Sequence, residues 1–160
     1  MNMVASIESL KSAHRAAVER ANCWRGRCVN LFARGERVIS QALLASPQGA
    51  KLPMLNSQRL DRLSKASVDK PRLSKALAEF GELADVRNII VHGESRVYID
   101  VNEQWLLRFE CIGRTGASQR SIDQAEGEKL VRQIHKSVQR LEGLLSPNLR
   151  TPDRASSSCA

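Results

Sequence analysis

The chain has 160 residues, enough for one domain with a core of its own and few for two. Its 25 Lys and Arg against 17 Asp and Glu leave a formal charge of +8, a field that draws polyanions, RNA foremost. No apolar run is long enough to span a bilayer, and Met1 to Ser12 lacks the apolar core of a signal peptide.

From about Ser6 to Ala45, apolar or small residues recur at Ile7, Leu10, Ala17, Ala21, Trp24, Cys28, Leu31, Val38 and Ala42. Steps of three and four predict one long amphipathic helix or two nearly in line, with a bend near Trp24 to Arg27 admitted by Gly26. His14 falls on the apolar stripe and reads as a buried or interface residue. Residues 46–56, with Ser46, Pro47, Gly49 and Pro53, read as a loop, and a short helix is expected from Ser57 to Ala66. Residues 57–80 are basic, with Arg59, Arg62, Lys65, Lys70, Arg72 and Lys75 against Asp61, Asp69 and Glu79.

Pro71 suits a first helical position. Leu73, Leu77, Phe80, Leu83, Val86 and Ile90 then form an apolar stripe, with Gly81 as a kink or junction. Next comes Arg87-Asn88-Ile89-Ile90-Val91-His92-Gly93. A glycine just past a helix end places His92 beside unpaired carbonyls, where a histidine can work as acid or base near neutral pH. Asn88 and His92, four apart, share a face, whereas Arg87 diverges from His92 by roughly 140° and must use its length to reach the same site.

After Gly93 the period changes to two. Val97, Ile99 and Val101, then Trp105, Leu107, Phe109 and Cys111, alternate with other residues and predict a β-hairpin at about 96–112, its aromatic face turned to the bundle or a partner subunit. Gly113 to Arg120 read as a loop, and Ser121-Ile122-Asp123-Gln124 as a capping box opening a last helix, in which Leu130, Ile134, Val138, Leu141 and Leu145 form the stripe. His135, beside that stripe, reads as a surface or packing residue. Pro147 stops the helix, and 147–160 is expected to be a disordered tail. Cys23, Cys28, Cys111 and Cys159 have no metal-ligand spacing and read as free thiols, the first three as small core residues, in a reducing cytoplasmic location.

Arg87, Asn88 and His92, following Glu82-Leu83-Ala84-Asp85-Val86 in a small basic helical chain, resemble the signature of the HEPN (higher eukaryotes and prokaryotes nucleotide-binding) domains. The resemblance spans about residues 5–146. It implies a mainly α fold, a HEPN-like antiparallel helical bundle over 1–146 with a small β-hairpin between the motif helix and the last helix. It further implies a metal-independent endoribonuclease of the toxin or phage-defence type, with no cofactor and no metal, acting on RNA. A homodimer would set two motif helices face to face, and an antitoxin or nucleotidyltransferase would be the partner protein.

On that reading His92 is the acid/base, Arg87 the phosphate clamp, and Asn88 the group that orients His92 or bonds the phosphate. The bland alternative for Arg87 is an ion pair with Glu82 or Asp85. The functional alternative is an inactive HEPN-like RNA- or nucleotide-binding module. A third is a helical dimerisation protein whose charge is incidental. Tyr98 and Trp105 of the hairpin read as core or interface residues, with stacking on bases as their functional alternative.

Overall fold

The computed structural model describes residues 3–46, 51–113 and 116–145. The expected tail and Cys159 lie outside these residues, as do Pro47 to Ala50 of the expected first loop. Five helices and three strands follow in the order α1 (Met3–Leu44), α2 (Asn56–Lys65), α3 (Pro71–Gly81), α4 (Ala84–His92), β1 (Glu94–Ile99), β2 (Trp105–Gly113), β3 (Gly116–Asp123) and α5 (Gln124–Leu145). The fold is mainly helical, with one small antiparallel sheet.

α1 runs unbroken for 42 residues, about 63 Å at 1.5 Å per residue. The helix is not interrupted at Gly26, the position that admits a bend, and Trp24 and Cys28 on either side of it are both buried in the core. Further along, the stripe shifts by one residue: Phe32, Ile39 and Leu43 are buried, while Leu31 and Ala42 only pack against the core's edge. At the other end Ile7 and Leu10 are exposed. His14, expected to be buried or at an interface, is not buried within the chain: it is exposed, with Nε2 3.4 Å from the Val97 carbonyl oxygen. Cys23 is likewise exposed, one position off the buried stripe.

α5 lies along α1 and runs in the same direction, not antiparallel to it. Trp24 Nε1 donates to the Gly127 carbonyl (2.8 Å), and further along both helices Gly35 meets Val138. The ion pairs Arg27 with Glu128 and Arg34 with Glu142 keep the same order. Gly35 is needed here, since a Cβ would sit 2.7 Å from the Phe80 ring of α3 and 3.2 Å from Val138 Cγ2. Leu77 and Phe80 of α3 and Ile134, Val138 and Leu141 of α5 fill the space against α1, each full burial stabilising by about 1.5–3 kcal/mol.

The expected hairpin is two strands of a three-stranded sheet, ordered β1-β2-β3. Val97 faces Leu107 and Ile99 faces Trp105 across the first pair. Asp100 Oδ1 accepts the backbone N–H groups of Asn102 and Gln104, 2.8 Å each, and closes the turn. β3 occupies most of the segment expected as a loop, pairing Leu107 with Ile122 and Phe109 with Arg120. Its one large apolar side chain with a described position, Ile122, joins Trp105, Leu107 and Phe109 in the core. Trp105 packs on Trp24, ring centroids 5.2 Å apart, so the sheet is glued to α1.

The capping box also moves. Ser121 is in β3, and Asp123 Oδ1 accepts the Glu126 N–H at 2.8 Å, so Asp123, the last residue of β3, is the N-cap of α5.

Candidate functional site

α4 is only 9 residues long, and Arg87 and His92 both project from it toward the cleft that α1 and α2 border. Its C-terminal residue is His92. Gly93 follows with φ −69° and ψ 136°, so its backbone is extended rather than left-handed. Glycine is required for close approach instead: a Cβ would lie 2.5 Å from the Ile89 carbonyl oxygen, 3.0 Å from Cys111 Sγ and 3.3 Å from Phe109 Cδ1. The chain therefore drops directly from α4 onto β2.

The carbonyls expected to be unpaired beside His92 are partly taken. Arg25 of α1 donates through Nε to Ile90 O (2.7 Å) and approaches Val91 O and Gly93 O with NH2 (3.4 and 3.3 Å). The end of the motif helix is thus held from α1 by a half-buried guanidinium.

Arg87 overcomes its angular offset. Its NH1 lies 3.2 Å from His92 Nε2 and donates to Asn88 Oδ1 at 3.2 Å, while its Nε donates to Glu36 Oε1 at 3.0 Å. A guanidinium only donates, so the contact with His92 is a hydrogen bond when Nε2 carries the lone pair and Nδ1 the proton. In that tautomer the imidazole is a base with its acceptor atom held by a cation.

All three expected residues come together, but Asn88 bonds Arg87 rather than His92. The ion-pair partner of Arg87 is Glu36, not Glu82 or Asp85.

These groups line one end of a cleft of about 410 Å³. Phe32, Ile39, Leu60 and Phe80 form its apolar wall, and Met54 and Leu55, both exposed, its lip. Arg59 of α2 enters the same cleft. It donates to Pro53 O (2.7 Å), Ser40 Oγ (3.2 Å), Asn56 Oδ1 (3.3 Å) and Met54 O (3.4 Å), all neutral acceptors, so it anchors the lip and leaves its charge uncompensated by any of these partners. Sequence patterning marked Arg59 only as one of several basic residues and did not mark Glu36 at all.

Trp105 is buried and out of reach of a base; Tyr98 is exposed on β1, and His135 is exposed on α5. Among the described residues no cluster of three or more His, Cys, Asp or Glu could hold a metal ion, and no helix is long and apolar enough to cross a membrane. No family model, curated protein or solved structure matches the chain.

Proposed function

We propose that this chain is a metal-independent endoribonuclease of the HEPN toxin or defence kind. The observation that carries the reading is the 3.2 Å contact between Arg87 NH1 and His92 Nε2 at the end of a cleft with apolar walls. Once the substrate phosphate releases His92 Nε2 from Arg87, that nitrogen takes the proton of a ribose 2′-hydroxyl, the freed oxygen attacks the adjacent phosphorus, and the 5′-oxygen leaves with a proton from an acid. Arg87 supports the charge that builds on the phosphoryl oxygens, and Asn88 holds the same NH1 that reaches His92.

One chain offers one histidine at this site, so a two-fold dimer with both motif helices at a shared cleft would supply acid and base together. The net charge of +8 favours RNA at long range. A cytoplasmic setting and a regulatory partner, antitoxin or nucleotidyltransferase, belong to the same reading.

The test is incubation of wild type and His92→Ala with total RNA and a labelled oligonucleotide in excess chelator. Fragments ending in 2′,3′-cyclic phosphate from the wild type alone support the reading. Cleavage that survives in His92→Ala, or that the chelator stops, overturns the assignment. The second reading, an RNA-binding module without catalysis, is favoured by the pairing of Arg87 with Glu36, which offsets the cation meant for phosphate. It predicts salt-sensitive RNA binding with intact RNA.

A further inference from the structure

We infer that Glu36 is a positioning residue for this reaction, holding Arg87 so that its free edge faces the phosphate and its NH1 faces His92. The inference rests on the ribonuclease reading above and adds to it a residue from α1, far from the motif in sequence.

Arginine has four side-chain torsions, and an unrestrained Arg87 on α4 would spread its guanidinium over many rotamers at an angle pointing away from His92. Glu36 removes that freedom at one atom. Its Oε1 accepts from Nε at 3.0 Å, with Arg87 24% and Glu36 20% exposed, so the pair is shielded from most solvent. With Nε tied, NH1 reaches His92 and Asn88, and NH2 has no partner among the described residues. With both donors of NH1 engaged, the two unspent donors of NH2 form the edge left for a phosphate.

The height of Glu36 on α1 is itself fixed. Its neighbour Gly35 admits the Phe80 ring to within 2.7 Å of where a Cβ would be, which clamps α1 against α3 at that turn. One turn on, Ser40 Oγ donates to Glu36 O and lies 3.2 Å from Arg59 NH1. A single face of α1 therefore sets both arginines of the cleft.

The experiment measures kcat and KM on a labelled RNA oligonucleotide for wild type, Glu36→Ala, Glu36→Gln and His92→Ala, with thermal unfolding of each. Glutamine keeps an oxygen for Nε and loses only the charge; alanine loses both. Glu36→Ala is expected to lower kcat about 10- to 100-fold with KM within about threefold, the cost of a misplaced group that acts in the transition state. Glu36→Gln is expected to recover most of that loss.

Wild-type kcat in Glu36→Ala, or a rise in it, overturns the inference while leaving a dead His92→Ala in support of the ribonuclease. So does an equal loss in both Glu36 variants that tracks a lowered unfolding temperature, since that is what a purely structural ion pair would give. Intact RNA with the wild type overturns the ribonuclease reading, and this inference falls with it.

Discussion

Arg25 caps the motif helix: its Nε donates to the Ile90 carbonyl at 2.7 Å, from a helix 65 positions earlier in the chain. The same guanidinium bonds Ser95 Oγ at 3.0 Å and lies over the Phe109 ring, 5.9 Å from its centroid. One side chain thus ties α1 to the end of α4, the start of β1 and the face of β2, on both sides of His92. Hydrogen bonds from charged donors contribute about 1.5–3 kcal/mol, and leaving carbonyls unpaired adds cost. Arg25→Ala should destabilise the fold by about 2–3 kcal/mol in urea unfolding and speed amide exchange in residues 91–95. Arg25→Lys should recover less than half of this, because an ammonium cannot span the same fork of acceptors. An unchanged urea midpoint for Arg25→Ala would show that the cap carries no weight.

The cysteines divide by environment. Burial pushes the Cys28 thiol up to about 12 from 9.0, the nearby Arg27 opposing this and Glu128 adding to it. Cys23, five positions earlier, is exposed. In a Cys159→Ser background, a maleimide at pH 7.5 should therefore label Cys23 rapidly and Cys28 only after unfolding. The raised value also fixes a sign. Unfolded Cys28 gives up its proton near pH 9 and the folded residue does not until about 12, so the folded state binds more protons between them. The stability tied to this thiol is whole below pH 9 and is lost as pH rises, by at most about 1.4 kcal/mol per unit. Relative to Cys28→Ala, the wild type should lose stability between pH 9 and 11; a parallel pair of profiles would refute the assignment.

Patterns that repeat along the chain were legible in it, and contacts made once were not. The steps of three and four through Ala17, Ala21, Trp24 and Cys28 specified α1, and Leu130, Ile134, Val138 and Leu141 specified α5. Alternation at Trp105, Leu107 and Phe109 specified the face of β2 that packs on the helices. β3 escaped because its described side chains are polar or small apart from Ile122; the open edge of β2 makes it a strand, and no periodicity of its own does. The direction of α5 along α1 depends on which way the sheet returns the chain, which helical periodicity does not encode. At the site, Arg87, Asn88 and His92 were visible because they are adjacent on one helix. Glu36 and Arg25 were not, being a carboxylate and a guanidinium among many on the polar side of α1, distinguished only by where α4 docks.

The start of α5 offers a direct comparison of two readings of one segment. Spacing nominated Ser121 as the cap, whereas the Glu126 N–H points to Asp123 Oδ1, 2.8 Å away, and the Glu126 carboxylate pairs with Arg120 at 3.1 Å. An aspartate also places negative charge where the first turn of α5 presents its unpaired N–H groups. Asp123→Ala should cost about 1 kcal/mol, the usual worth of a side-chain N-cap, and Asp123→Asn much less because the acceptor survives. Ser121→Ala, on a strand whose neighbours hold the register by backbone pairing, should stay within about 0.5 kcal/mol of wild type. Urea unfolding of the three variants decides the matter: a larger loss for Ser121→Ala than for Asp123→Ala would return the cap to Ser121 and shorten β3 at its end.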